Sequence, residues 1–446
     1  MDPLQPKSRS ETLPSAAETT MAGEGAATGF RSKLGYFRWV ICGLLLLGTT
    51  KNYMDRQVLG VLKDTLQHDF GWNEIQYGNL VSAFQAAYAL GMLVMGWVVD
   101  QLGTRLGYAL AMIFWSLASM GTSLANSLGG FKISRYALGF GEAAVFPASI
   151  KAVAEWFPKR ERALATGIFN AGTNLGAIVT PLIVPWMVVV WGWRSTFVGI
   201  GAIGFLWLAV WLLMYRKPGE HPRVSKAELE YIRSGPQEPM QKTKWVLLLP
   251  LRQTWTFALG KFLTDPIWWF YLFWVPGFLQ EKHGLALTGI SVPIMVIYLI
   301  SDVGSVVGGW ISSSLIKRGH SVNVSRKMAM LLCAVGVIPV VFAYRVASTW
   351  SAVVLIGLAA ACHQGFSANL YTLTSDMFPA RAVGSVTGIG GMAGAIGGFF
   401  IAKVVGHVLE WTGSYMIPFV MASVAYLVAL AVIHVLAPGL EPARIE

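Results

Sequence analysis

Charge is scarce in this chain. Of its 446 residues only 13% are Asp, Glu, Lys or Arg, against 54% apolar and 12% aromatic, whereas a soluble domain carries about a quarter charged residues. This excludes the tandem soluble domains that length alone suggests and indicates a polytopic membrane protein. Cysteine is scarcer still. Cys42, Cys333 and Cys362 all fall in apolar segments without metal-ligand spacing, so neither a disulfide framework nor a zinc site is implied. Residues 1–34 lack the apolar core of a cleavable signal peptide; rich in Ser, Thr, Ala and Gly, they read as a disordered cytoplasmic tail. A nucleophile triad, a metal cluster, a phosphate loop and a cofactor motif are all missing, which argues against an enzyme and against a bound cofactor.

What the chain has in abundance is apolar runs of about 20 residues, long enough to cross a bilayer. Twelve are found, at 37–61, 77–99, 106–125, 130–157, 163–188, 195–215, 254–280, 289–316, 325–346, 350–377, 382–408 and 413–436. The fold class expected is therefore an all-α polytopic membrane protein. Phe157-Pro158-x-Arg160 with Thr166-Gly167-Ile168 returns as Phe378-Pro379-x-Arg381 with Thr387-Gly388-Ile389, each position shifted by 221. Glu155 and Asp376, Gly176 and Gly397, and Gly192 and Gly413 obey the same shift. Two copies of one half are thus expected: a six-helix bundle at 35–215, a polar and charged linker at 216–253, a second bundle at 254–437 and a cytoplasmic tail at 438–446.

The net charge of +11 lies in short loops between spans, where it reports topology rather than a nucleic-acid partner. Loops after the even-numbered spans up to the tenth hold seventeen Lys and Arg; the opposite loops hold five, Lys63, Lys132, Arg194, Lys282 and Arg345. The positive-inside rule places both termini in the cytoplasm. Parallel six-span halves joined by a basic linker describe the major facilitator fold. The loop after the second span carries its signature, Gly96-Trp-Val-Val-Asp100-Gln-Leu-Gly103-Thr-Arg105. With Glu155, Arg162, Asp376 and Arg381 these residues are expected to form a conformational latch.

Ionisable residues inside a span are costly and normally face a bundle interior or a watery cavity. Lys51-Asn52-Tyr53-Met54-Asp55-Arg56 interrupts the first span. Arg56 offers a fork suited to a carboxylate, and Asp55 beside it is placed to neutralise part of its charge. In the fourth span Arg135 and Glu142 share one face two turns apart, too distant to pair with one another. Burial of a carboxyl favours its neutral form, which suits Glu142 to a proton carrier, with Arg135 as its modulator. Lys261 and Asp265 in the seventh span stand at pairing distance along a helix, among Trp268, Trp269 and Tyr271. His363, Gln364, Ser367, Asn369 and Thr372 form a polar face in the tenth span suited to a polyol. Tyr88 in the second span and Asp302 in the eighth are further candidates.

These residues resemble the anion:cation symporter family of major facilitators, which includes bacterial hexuronate and galactonate transporters and animal vesicular glutamate and sialate carriers. The likeness covers all twelve spans. It rests on NYxDR at Asn52 to Arg56, RxxxGxxE at Arg135 to Glu142, and EWFPxxERxxAxGxFNxG from Glu155 to Gly172. KFLTDPIWWFYLFWVP from Lys261, VSRKM from Val324 and HQxxSxxLxTLxSDxF from His363 point to the hexuronate branch. The resemblance implies proton-driven uptake of an organic anion across a bacterial inner membrane. Arg56 would hold the substrate carboxylate, Asp55 and Glu142 would carry protons, Arg135 would couple them, and Tyr88 would touch substrate. Tyr53, Thr173, Asn174, Lys261, Trp269, His363, Gln364 and Asn369 complete the expected binding set. Thr173 stands where galactonate carriers have glutamine. Lys51 replaces an apolar residue and is either an extra cation in the cavity or directed at another helix.

The reading is a monomeric alternating-access symporter of a hexuronate and protons. Two rivals stay open: an exchanger of phosphate esters or dicarboxylates, and a sensor that binds a sugar acid without moving it.

Overall fold

The computed structural model describes residues 35–234 and 245–445, with all of their side chains except those of Lys159, Arg160, Ala163, Ala380 and Arg381. The expected N-terminal tail, residues 1–34, lies outside the described residues. The helices are α1 (Phe37–Val61), α2 (Lys63–Phe70), α3 (Glu74–Gly121), α4 (Leu128–Glu142), α5 (Val145–Trp156), α6 (Lys159–Met214), α7 (Lys226–Arg233), α8 (Trp245–Leu248), α9 (Arg252–His283), α10 (Ser291–Lys317), α11 (Val322–Val337), α12 (Thr349–Met377), α13 (Ala380–Thr412) and α14 (Met416–Leu436). Among the described residues eight helical stretches are long and apolar enough to cross a membrane. Two of them, Glu74–Leu124 and Leu164–Met214, each contain two of the expected segments. α1 and α9 reach spanning length but bury ionisable groups: Arg38, Lys51, Asp55 and Arg56 in the first, Lys261 in the second.

Local chemistry sets where these helices begin, break and end. Asn73 and Gln76 close a reciprocal capping box at the start of α3, and Ser127, Ser321 and Ser348 cap α4, α11 and α12 through their side chains. α3 breaks at Gly103 (φ 78°) and α6 at Gly192 (φ 75°), conformations that glycine adopts without a Cβ penalty. Gly192 and its repeat counterpart Gly413 (φ 61°) share a positive φ. Pro158 and Pro379, also 221 apart, both precede a helix with nearly equal backbone angles.

The repeat extends into packing. A Cβ on Gly176 would meet the Thr50 carbonyl at 2.5 Å, and one on Gly397 would meet the Phe262 carbonyl at the same distance. In each half, then, the fifth apolar segment rests its glycine on the backbone of the first. Close helix approach through small residues is the usual way to gain dispersion in lipid, where no hydrophobic drive operates between helices.

The linker is more structured than a polar connector. α7, capped by Ser225, buries Glu228, which accepts from the Arg38 backbone N–H (3.1 Å) and Nη1 (3.3 Å). Arg38 Nε donates to Glu161 at 2.9 Å and Tyr231 Oη donates to Glu161 at 2.7 Å. This part of the linker is docked beneath α1 and α6. The C-terminal tail is also held, through Ala443 N–H to the Met377 carbonyl at 2.7 Å and Lys327 Nζ to the Ala437 and Pro438 carbonyls at 2.7 Å.

Candidate functional site

A cavity of about 1210 Å³ opens between the halves on the face that carries the basic loops. Its inner wall is formed by Tyr53, Arg56, Tyr88, Lys261, Asp265 and Trp269, with Thr173, His363 and Gln364 beside them; its mouth reaches Gly96, Asp100, Glu155 and Arg162. Most of the residues expected to bind substrate are therefore assembled in one place. Asn369 is an exception. Its Nδ2 donates to the Gly308 and Gly365 carbonyls, both at 2.9 Å, so it joins α10 to α12 away from the cavity. Asn174 is another: its Nδ2 bonds Asp302, and its Oδ1 accepts from Gln364 at 3.3 Å. This triad joins α6 to α10 and α12, and it places Asp302 at a seam between the halves.

In the first half Arg56 is the head of the cavity. Its Nε donates to Glu142 Oε2 at 2.6 Å, and its guanidinium carbon lies 4.9 Å from the Tyr53 ring, 4.5 Å from Tyr88 and 5.5 Å from Trp269. Aromatic faces stabilise a cation without neutralising it, which leaves the fork available to an anion. The residue that neutralises Arg56 is Glu142, not its sequence neighbour Asp55. Successive helical positions point about 100° apart, so Asp55 faces elsewhere. It is bound by Lys51 and by Ser119 Oγ at 2.8 Å. Lys51 is thus directed at another helix, with Ser116 Oγ 3.4 Å away. Arg135 is fully buried, its guanidinium 4.6 Å from the Phe84 ring. Among the described residues its nitrogens find no hydrogen-bond acceptor. Phe84 also faces Arg56, at 5.3 Å, so one ring separates two guanidinium groups.

In the second half Lys261 Nζ binds Asp265 Oδ1 at 2.8 Å and lies 4.4 Å from the Tyr371 ring. Trp268 stacks on His363 with centroids 5.1 Å apart, and His363 Nδ1 meets Tyr426 Oη at 2.7 Å. The tenth-segment histidine is fixed by an aromatic frame while its edge borders the cavity.

The opposite face is closed. Tyr77 Oη donates to the Phe273 carbonyl at 2.9 Å, Lys403 Nζ to Asn79 at 2.6 Å, and the Glu74 backbone N–H to Glu410 at 3.0 Å. Gly78 and Gly406 let α3 and α13 touch backbone to backbone. At the centre of this seal is Lys63, fully buried, bonded to Glu74 at 2.7 Å, Glu281 at 2.5 Å and Tyr415 Oη at 3.2 Å. Burial opposes its charge, but Tyr415, Glu74 and Glu281 outweigh that and hold the ammonium protonated well above the usual lysine range. Burial also pushes the neighbouring Asp64 carboxyl up to about 6, against the pull of Lys63. In the sequence Lys63 counted only as a loop charge. Its partner Glu281 is 218 residues away, and no local pattern announces such a pairing.

At the mouth, Lys151 Nζ binds Asp100 at 3.2 Å and the Val99 carbonyl at 3.0 Å. Glu155 accepts from Thr104 Oγ1 and Tyr215 Oη, both at 2.7 Å, while Arg105 donates to the Leu212 carbonyl at 2.6 Å. Arg162 caps the Phe157 and Ala154 carbonyls, each at 3.0 Å. Gly103 supplies the turn between the two arms of α3. These bonds tie the first half to itself. In the second half Asp376 accepts from Arg326 Nε at 3.0 Å; Arg326 stands 221 residues after Arg105. The Arg381 side chain lies outside the described residues.

A sequence profile of the Major Facilitator Superfamily matches residues 45–402. The hexuronate transporter of Escherichia coli K12 is 34% identical over 421 residues, covering 92% of this chain and 97% of that protein. The galacturonate transporter of Dickeya chrysanthemi is 36% identical over 310 residues, covering 68% and 89%. Among solved structures, a bacterial homologue of the human lysosomal transporter Spinster, inward-facing and unoccupied, superposes with a TM-score of 0.72 at 18% identity, over 91% of this chain and 98% of that one. That likeness concerns the fold.

Proposed function

We infer that this chain, which belongs to the Major Facilitator Superfamily and is related to hexuronate and sugar-acid transporters, imports a hexuronate together with protons by alternating access. As a member of that superfamily it is a multi-pass membrane transporter and not an enzyme. The observation that carries the substrate reading is Arg56: a buried guanidinium at the head of a cavity, ringed by aromatic faces, with a single carboxylate bound to it. The names of two relatives, a hexuronate and a galacturonate transporter, support a uronic acid. The basic loops around the open mouth support an inward-open conformation under the positive-inside rule.

In this mechanism a proton neutralises Glu142 and frees Arg56 to take the substrate carboxylate. Ion pairing in a water-poor site is strong enough that the two anions compete for one guanidinium. Release to the cytoplasm lets Glu142 rebind Arg56, and the emptied carrier resets. Asp55, held by Lys51 and Ser119 behind the cavity wall, is the second proton site of this scheme, and Arg135 tunes the field around both carboxyls. Opening to the other side requires parting of the Lys63–Glu74–Glu281 seal and closure of the mouth.

The test is uptake of labelled glucuronate into proteoliposomes with and without an inward proton gradient. Accumulation driven by the gradient and blocked by galacturonate is the expected result. Transport that requires an internal anion would identify an exchanger, and binding without flux a sensor.

A further inference from the structure

We propose that Asp265 sets the charge class of the substrate: it accepts hydrogen bonds from hydroxyl groups at the end of the molecule remote from Arg56 and excludes a second carboxylate. The inference rests on the sugar-acid reading above and narrows it to monoacids over diacids.

Two ion pairs lie in opposite walls, but they present opposite charges to the cavity. Behind Arg56 the Glu142 side chain is fully covered, so the first half shows an incoming molecule the cation. In the second half both partners line the cavity, and Asp265 is the more open, its side chain 17% exposed against 6% for Lys261. The second wall therefore shows the anion. Asp265 lies one helical turn before Trp269, about 6 Å along the axis, and the Trp269 ring borders Arg56. A six-carbon acid with its carboxylate on Arg56 thus has its far end near Asp265.

The carboxylate is also built in. Lys261 Nζ holds one oxygen, and Gly394 leaves the other the volume that any Cβ would fill. A fixed carboxylate is a strong acceptor for hydroxyl groups and repels a second anion. Gln364 and Ser367 border the same wall as neutral partners for a polyol. A site built to bind hydroxyls discriminates strongly against an analogue that cannot supply them, because its polar groups are then left unpaired.

The experiment compares two ligands of one carbon skeleton, glucuronate with one carboxylate and glucarate with two, by competition against labelled glucuronate on the purified full chain. The wild type is expected to bind glucarate at least tenfold more weakly. Asp265→Asn should narrow that ratio by at least tenfold, and Lys261→Met, in which a buried carboxyl stripped of its cation takes up a proton, should narrow it as well. A purely architectural pair would weaken both ligands alike and leave the ratio unchanged in either variant, which overturns the proposal; should Asp265→Asn not fold, Lys261→Met decides it. Equal affinity in the wild type overturns the proposal and leaves the sugar-acid reading standing. Failure of both ligands to bind removes both.

Discussion

Arg56–Glu142 and Lys261–Asp265 are ion pairs of similar length, 2.6 and 2.8 Å, in the two walls of one cavity, yet they are built differently. The first joins two helices, α1 and α4, across 86 residues. The second closes one turn of α9. A pair between helices is broken or made as the bundle adjusts, so it suits a coupling role. A pair within one turn travels with its helix and keeps its geometry, which suits recognition. The repeat that relates the halves does not extend to these residues: the position 221 after Arg56 is Gly277, against which Lys63 packs. The duplicated scaffold has been fitted with two different chemistries.

Four measurements break or sharpen this contrast. The largest effect is expected from Arg56→Ala, which strands a buried Glu142. Breaking such a pair costs about 3–5 kcal/mol, and glucuronate affinity should fall by at least about 100-fold, the loss of one charged contact of that size. Arg56→Lys should rescue little, since an ammonium lacks the planar fork. Affinity within threefold of wild type in Arg56→Ala would move the carboxylate site to the other wall.

Glu142→Gln comes next. Binding and counterflow should persist within a few-fold, while gradient-driven accumulation disappears; full accumulation would remove Glu142 from the coupling step. Smaller in effect is the Lys51–Asp55 pair. Asp55→Asn alone should lower stability by about 3 kcal/mol, and the double change Lys51→Met with Asp55→Leu should restore it to within about 1 kcal/mol, because apolar replacement of a buried pair is often neutral. If that double variant folds yet still couples protons, Asp55 is architecture only.

The smallest effect lies in the seal. Asp64 is held at about 6 in the closed face, above the ordinary carboxylate value near 3.9. A raised carboxyl costs the closed face when it is ionised. That cost is full above about pH 6 and fades as pH falls toward about 4. Asp64→Asn should therefore stabilise the protein at pH 7.5 by about 1 kcal/mol, the partial exposure of the group reducing the shift's full value. The difference in Tm from wild type should shrink at pH 5; a constant difference would show that Asp64 does not titrate in this window.

Much of the molecule is legible in its sequence. The twelve apolar segments are mostly helical, the fourth broken by a turn at 143–144 and the ninth leaving its α-helix at Val337, and the 221-residue shift marks the very glycines, Gly176 and Gly397, on which helices touch. Ionisable and polar residues inside spans, together with the family resemblance, pick out Tyr53, Arg56, Tyr88, Lys261, Trp269, His363 and Gln364, and all of them border the cavity. These features were visible because they follow from local rules: apolar length for a span, a missing Cβ for close approach, an ionisable group where lipid would reject it.

Pairing was not legible. Proximity in sequence suggested Asp55 as the counter-charge of Arg56, whereas Glu142 holds that place and Asp55 belongs to Lys51. Asn369 reads as part of a polyol face, yet its Nδ2 is taken by the Gly308 carbonyl of α10 and the Gly365 carbonyl of its own helix. Lys63 looked like a loop charge and is the centre of the seal. Along one helix the period of the chain dictates which residues share a face. Which helix stands opposite, and at what height, is set by the packing of the whole bundle, and an ion pair or hydrogen bond depends on that distance more steeply than on anything a single segment encodes.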